Sequence, residues 1–139
     1  MFNLFRRVRA WWSTVRLSRT VVSRIVSCDG LGVCQSDWLG DREVRDRLTW
    51  DEVDSVFAYK RDCFAVDQIC VALADGKGLV RVHVSENDAG YQILIGELPK
   101  RLNGCPAPHE WFLRVAIPAF ETSWTELYRR PSVSIAKLE

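Results

Sequence analysis

The residues best suited to chemistry in this 139-residue chain lie in one stretch, YKRDCFAVDQ, and on a segment soon after it. Cys63 follows Asp62 and two bases, and basic neighbours lower a thiol pKa and favour the nucleophilic thiolate. With His83 and either Asp62 or Asp67, this cysteine would make up a small hydrolase-like enzyme, which we keep as an alternative. The sequence signatures of cysteine hydrolases are absent, so we expect no catalytic residue and no enzyme.

The same stretch is also typical of a charged hairpin connection between two strands. Its polar ends would face water while Phe64 or Val66 covers the core, and Lys60 would pair with one of the two aspartates. Asp62 and Asp67 are five residues apart, so on extended backbone they would point to opposite faces of the sheet. This interpretation is favoured over a catalytic loop, with an exposed contact surface as the next alternative.

Metal and cofactor sites are not predicted. His83 and His109 are the two histidines, and neither has a second ligand at a spacing typical of metal sites. The chain lacks a GxSxG, a P-loop and a GxGxxG motif, and the segments DGLG and DGKG are typical of turns. The five cysteines are odd in number and never spaced as CxxC, which favours reduced thiols and a cytoplasmic location.

Charge is distributed unevenly along the chain. Residues 1–24 carry six arginines and no acid, for +6, while residues 25–99 carry fourteen acids against seven bases, for −7. An acidic body disfavours duplex DNA, since phosphate binding needs clustered lysine and arginine, and it favours a basic protein partner. The candidate partner-binding residues are Asp41, Glu43, Asp46, Asp51, Glu52, Asp54, Lys60, Asp62 and Asp67.

The first 22 residues form a separate basic segment, predicted to be a short amphipathic helix because apolar residues recur every three or four positions. We keep three interpretations: packing on its own domain, contact with a membrane surface or an acidic partner, and a cleaved organelle presequence. Its longest uncharged run is too short to span a bilayer. The candidate contact residues are Arg6, Arg7, Arg9, Trp11, Trp12 and Arg16.

Residues 23–139 are predicted to form one α+β domain. Strands are expected near residues 24–28, 32–36, 42–48, 56–60, 68–74 and 79–84, giving an antiparallel meander of five or six strands. Thr49 and Glu52 indicate a capping box at a single helical turn. Helices are expected from about residue 91, capped by Ser85 or Asp88 and ending or kinking around Leu98 because of Pro99, and over residues 108–116.

The tail ETSWTELYRRP is interpreted as weakly helical. The small second face of QICVALA is expected to receive a helix, and both helices to lie on one side of the sheet. This order of hairpins and helix is similar in layout to half of a pleckstrin-homology-like barrel.

Two segments, TWDEVDSVFAYKRDCFAVDQICVAL and HEWFLRVAIPAFETSWTELYRRP, carry a resemblance over roughly residues 49–131. The shared pattern comprises Trp50, Val53, Tyr59, Lys60, Asp62, Asp67, Ile69, Trp111, Phe112, Pro118, Ala119, Phe120, Leu127 and Tyr128. In these positions the chain resembles small bacterial proteins similar to the immunity proteins of polymorphic toxin systems. That resemblance implies a bacterial cytosolic protein that binds and blocks a toxin, and it supplies no catalytic residues. Occlusion by the acidic surface would be the mechanism.

Overall fold

The structure is a computed structural model and describes residues 23–63, 66–117 and 124–131. For residues 62, 63 and 66 it describes the backbone alone. The predicted helix of residues 1–22 lies outside the described residues, as do Phe64 and the six positions 118–123.

The first three strands form an antiparallel sheet in the order β1, β2, β3. They are β1 (Ser23–Cys28), β2 (Gly32–Leu39) and β3 (Arg42–Thr49). The turn between β1 and β2 is held by the Asp29 carboxylate, which accepts hydrogen bonds from the amides of Leu31 at 2.8 Å and Gly32 at 3.0 Å. This is the Asp-Gly hairpin that the sequence predicts.

A second antiparallel sheet has the order β6, β5, β4, β7 and contains β4 (Val53–Cys63), β5 (Val66–Asp75), β6 (Val80–Ser85) and β7 (Trp124–Arg129). One 3-10 turn, Trp50–Glu52, joins the sheets. Its predicted cap is present, since the Glu52 carboxylate accepts the hydroxyl of Thr49 at 2.8 Å and the amide of Thr49 at 3.2 Å. The described part of the chain therefore has seven strands in two sheets, where one meander of five or six strands was expected.

Two helices follow β6. Helix α1 (Tyr91–Arg101) begins after Gly90, whose φ is 93°, so the predicted caps were wrong: Asp88 instead accepts the amide of Ser85 at 2.8 Å. It also continues through Pro99 to Arg101, where the sequence predicts an end or a kink, so the predicted end was wrong. One backbone hydrogen bond is lost there, and burial of Leu98 and Leu102 on one face outweighs that loss.

Helix α2 (Pro108–Ala116) has the predicted bounds, and proline stands at its first position. The side chain of Glu110 caps it by accepting the amide of Ala107 at 2.6 Å. No helix among the described residues is both long and apolar enough to cross a bilayer.

The main core lies between the helices, the first sheet and the larger-residue face of the second sheet. Ile69 and Leu73 of β5 pack there with Leu94 of α1 and Trp111 of α2. The expectation that a helix would cover the small face of β5 is wrong. The small residues Cys70 and Ala72 are instead the cross-strand partners of Tyr59 and Phe57, whose rings fill the space that a helix would need.

The predicted helical tail is the strand β7, which pairs with β4. Trp124 stacks on Tyr59 with ring centroids 4.5 Å apart and contacts Phe57 at 5.2 Å. Trp124 faces this aromatic cluster, whereas Leu127 and Tyr128 pack on the main core after a shift in register between β7 and β4. Contacts on both faces therefore stabilise a strand where a helical spacing was also available. The described part of the chain is thus α+β, with two antiparallel sheets and two helices.

Candidate functional site

A cleft of about 340 Å³ lies where the 3-10 turn, the start of β4 and the β5–β6 turn meet. Three of its residues, Asp51, Glu52 and Asp54, belong to the acids that the sequence singles out. The full lining is Asp51, Glu52, Asp54, Asp75, Gly76, Lys77, Arg81 and Arg130. We call this site the acidic cleft.

Arg81 organises the acidic cleft from β6. Its Nε lies 3.0 Å from Asp46 Oδ2 and its Nη2 lies 2.7 Å from Asp46 Oδ1, a two-point contact between β6 and β3. Nη1 is 3.4 Å from Asp75 Oδ2 and 4.0 Å from Glu52 Oε2. Hydrogen bonding to Asp46, and then to Asp75, raises the pKa of Arg81, so the guanidinium stays charged.

The other walls of the acidic cleft are formed by side chains that hydrogen-bond to the backbone. Asp75 is buried, and its Oδ1 accepts the amides of Lys77 at 2.9 Å and Leu79 at 3.1 Å. The guanidinium of Arg130 donates to the carbonyls of Val53 and Trp50, each at 3.1 Å. These bonds hold the walls of the cleft in place.

The acidic cleft keeps unneutralised negative charge. Asp51 and Asp54 form no ion pair with any residue that the structure describes, whereas Glu52 is held by Thr49 and Arg81. Hydrogen bonds from Thr49 lower the pKa of Glu52, which is therefore ionised at neutral pH. Together with Asp46, five carboxylates face three bases here, so the surface attracts cationic groups.

Asp41 and Glu43 lie away from the cleft, at the other end of β3. Asp41 is exposed in the β2–β3 turn. Glu43 accepts hydrogen bonds from the hydroxyl of Ser36 and from Arg45, the latter at 2.6 Å, and these bonds lower its pKa. The structure therefore gathers Asp46, Asp51, Glu52 and Asp54 but leaves these two acids elsewhere.

Lys60 and Asp67 form the predicted ion pair, with Nζ 3.7 Å from Oδ2. The pair is internal, since the Lys60 side chain is 1% exposed and its Nζ also donates to the carbonyl of Ala116 at 3.2 Å. The expectation for the two aspartates was wrong: Asp62 is the direct cross-strand partner of Asp67, because the hairpin reverses between them. The stretch YKRDCFAVDQ thus contains the end of β4 and the start of β5, which pair as a hairpin.

His83 is not placed beside Cys63. His83 pairs with Ala72, which pairs with Phe57, six residues along β4 from Cys63, or roughly 20 Å at the usual rise of a strand. The backbone positions of Cys63 and His83 are therefore too far apart to form the shared site that the hydrolase-like alternative requires.

The imidazole of His83 lies between Arg24 and Tyr59. Arg24 Nη1 is 3.0 Å from its Nδ1, and Nε2 contacts the Tyr59 hydroxyl. Since Arg24 can only donate, Nδ1 accepts and the ring proton is on Nε2. Burial, then Arg24 and Arg61, lowers the pKa of His83 to about 3, so the ring is neutral. Burial also raises the pKa of Tyr59, which stays a phenol.

No group of three potential metal ligands occurs among residues 23–63, 66–117 and 124–131. The proposed contacts Arg6, Arg7, Arg9, Trp11, Trp12 and Arg16 lie outside the described residues. No family model matches the chain, and neither a curated protein nor a solved structure is significantly similar to it.

Sequence reasoning missed five residues of the acidic cleft, namely Asp75, Gly76, Lys77, Arg81 and Arg130. Asp75 precedes a glycine in a predicted turn, and Arg81 points outward from a predicted strand, so both had a local signal. Arg130 had none, because its position in the cleft depends on the pairing of β7 with β4.

Proposed function

We propose that this protein is a non-enzymatic interaction module that binds a basic partner protein through the acidic cleft, as an immunity-type inhibitor would. The observation that carries the proposal is the pair of carboxylates, Asp51 and Asp54, which form no ion pair with the described part of the chain and line a net-acidic cleft. The resemblance to polymorphic-toxin immunity proteins supports the kind of partner, namely a toxin.

Binding would proceed by charge steering followed by occlusion. A lysine or arginine of the partner enters the cleft and pairs with Asp51 or Asp54, while Arg81 and Arg130 keep the walls in place. Because these walls are already bonded to Asp46 and to backbone carbonyls, little conformational entropy is lost on binding. Complementary charge accelerates association at low salt more than it slows dissociation.

The proposed location is the bacterial cytoplasm, with contact of residues 1–22 at the inner face of the membrane as the alternative. In this proposal the pleckstrin-homology-like layout matters only because its hairpin turns would face a partner. It implies no lipid-binding site.

The direct test is co-expression of the chain with the products of its neighbouring genes. We expect one of these products to be toxic alone, neutralised by the chain and retained on it during purification. The double variant Asp51→Asn with Asp54→Asn should weaken that complex by about tenfold or more at low salt, since a charge pair across an interface contributes about 1.5 kcal/mol or more.

The matched control is Asp41→Asn with Glu97→Gln, which removes the same charge outside the cleft. It should reduce affinity less than threefold, roughly the scale of exposed charges at a rim. Equal losses in the two double variants would refute the cleft as the binding site. Absence of any toxic or retained neighbouring product would refute the immunity function itself.

A further inference from the structure

One face of the second sheet is buried, although the described apolar side chains that cluster on it all belong to that sheet. We call it the aromatic face; its buried members are Phe57, Tyr59, Cys70, Ala72 and Ala74, with Val80 and Trp124 partly buried beside them. The described helices and the first sheet place their apolar side chains in the main core instead. The aromatic face therefore has a covering layer that lies outside the described residues.

The two rings show where this layer lies. Tyr59 stands between His83 and Trp124, whose rings stack beside it with centroids 5.6 and 4.5 Å away. Side chains stand roughly perpendicular to a sheet, so such stacking covers the faces of a ring and leaves its outer edge open to water. Yet Tyr59 is 0% exposed and Phe57 is 3% exposed within the single chain. Another segment of the same chain therefore lies on the rings, above the small residues that the rings already cover.

The described chain begins at the rim of the aromatic face. Its first residue is Ser23, and the next, Arg24, places Nη1 3.0 Å from Nδ1 of His83, whose ring stacks on Tyr59. The residues before Ser23 could extend over roughly 75 Å, or about 33 Å as a helix, whereas four strands span only about 14 Å. Residues 1–22 therefore start beside the aromatic face and are long enough to cross it.

The composition of residues 1–22 also suits a layer on aromatic rings. They include Trp11 and Trp12, whereas the other segments outside the described residues, 64–65, 118–123 and 132–139, contain no tryptophan. Large aromatic side chains bury much apolar area and pack favourably against other rings. The apolar residues of this segment recur every three or four positions, which separates them from its arginines.

We propose that residues 1–22 form the layer on the aromatic face, with Trp11 and Trp12 packed on the rings of Phe57 and Tyr59 and the arginines facing water. These residues then belong to the folded domain. Tryptophans held there are withheld from a lipid surface, so this packing competes with the membrane alternative. The proposal is independent of the acidic cleft, since no residue of the aromatic face lines that cleft.

The test uses the full chain and two of its own cysteines as reporters. Cys70 is 0% exposed on the aromatic face, and Cys105 is 6% exposed in the main core, so each thiol reports the cover of a different part of the molecule. Labelling with a small maleimide, followed by mass spectrometry of the peptides, gives both reaction rates. Both thiols should be protected in the wild type.

The double variant Trp11→Ser with Trp12→Ser should speed the labelling of Cys70 by about tenfold or more, because loss of buried aromatic area makes local opening at least that much more frequent. The rate at Cys105 should stay unchanged. The matched control is Arg6→Gln with Arg9→Gln, which alters the same segment at charged positions and should leave both rates unchanged. Equal rates at Cys70 in the wild type and the tryptophan variant would overturn the proposal.

A measurement on the wild type decides the matter if the tryptophan variant unfolds and both thiols react. Nuclear Overhauser contacts should join the indole protons of Trp11 or Trp12 to the ring protons of Phe57 or Tyr59. Their absence would overturn the proposal, and contacts from residues 118–123 or 132–139 in their place would assign the layer to another segment. None of these outcomes bears on partner binding at the acidic cleft.

Discussion

Arg81 and Asp46 connect the two sheets through a two-point contact, with Nη2 2.7 Å from Oδ1 and Nε 3.0 Å from Oδ2. Arg81 belongs to β6 and Asp46 to β3, which lie in different sheets. The same guanidinium donates to the carbonyl of Arg47 at 3.0 Å. Arg81 therefore links the two sheets and forms one wall of the acidic cleft.

This contact should be measurable in a double-mutant cycle of Arg81→Met and Asp46→Asn. We expect a coupling free energy of about 1 kcal/mol in urea unfolding, because the pair is half-buried and its geometry is bidentate. The Arg45 and Glu43 pair along β3 is the control, since Arg45 is 71% exposed. Its coupling should stay below about 0.5 kcal/mol, and equal couplings would contradict the role given to Arg81.

Gly90 and Gly96 should respond oppositely to alanine. At Gly90 φ is 93° and an added Cβ would lie 1.7 Å from the carbonyl oxygen of Val26, so Gly90→Ala should cost about 3 kcal/mol or more. At Gly96, inside α1, nothing lies within 4 Å of the added atom. Gly96→Ala should stabilise by about 0.5–1 kcal/mol. Thermal unfolding of the two variants checks both signs.

His83 should make stability depend on pH. An unfolded histidine has a pKa of about 6.5, and the folded value is about 3, so the unfolded state binds more protons between these values. The stabilisation by neutral His83 is therefore complete above pH 6.5 and is lost as the pH falls towards 3. From pH 7 to pH 5 the loss should be about 2 kcal/mol.

Urea unfolding of wild type and His83→Gln at these two pH values isolates this contribution. Between pH 7 and pH 5, the unfolding free energy of the variant should decrease by less than that of the wild type, and the difference is the contribution of His83. This holds whatever the stability of the variant at pH 7. In the wild type, the imidazole NMR signals of His83 should not titrate above pH 4.5. A ring midpoint near 6.5, or identical slopes in the two proteins, would show that His83 is solvated.

The alternative function, peripheral contact with a membrane, depends on residues 1–22. If this segment docks on anionic lipid, its deletion should abolish binding to anionic liposomes at low salt, because five of the six arginines before residue 25 are removed with it. Sedimentation with liposomes of anionic and of neutral lipid provides the measurement and its control. Unchanged sedimentation after deletion would defeat this alternative.

Local signals in the sequence were sufficient for most of the hairpins. The Asp29 turn, the capping box of Thr49 and the bounds of α2 follow from side chains that bond to their own neighbouring backbone, so the sequence predicts them well. The tail was different, because WTELYR has spacings that suit both a helix and a strand. Its state is decided by Tyr59 and Phe57, more than 60 residues away, and no local pattern contains that information.

Apart from Asp75, the acids of the candidate site could be predicted from the sequence, whereas their arrangement could not. Asp51, Glu52 and Asp54 are close in sequence, so their grouping needed only the turn that was predicted. Arg130 joins them through the pairing of β7 with β4, and Asp46 joins them through Arg81. Both depend on which strands become neighbours, and the charge pattern does not specify that order.

The contact of Val26 with Ala89 also affects how copies of the protein meet one another. β1 is an edge strand, and an uncovered edge offers its free amides and carbonyls to strands of other molecules. The Val26 amide donates to the Ala89 carbonyl at 2.9 Å, and the missing side chain of Gly90 allows that approach. A second chain therefore cannot add to β1 along its full length without displacing the loop before α1, which protects this edge against aggregation.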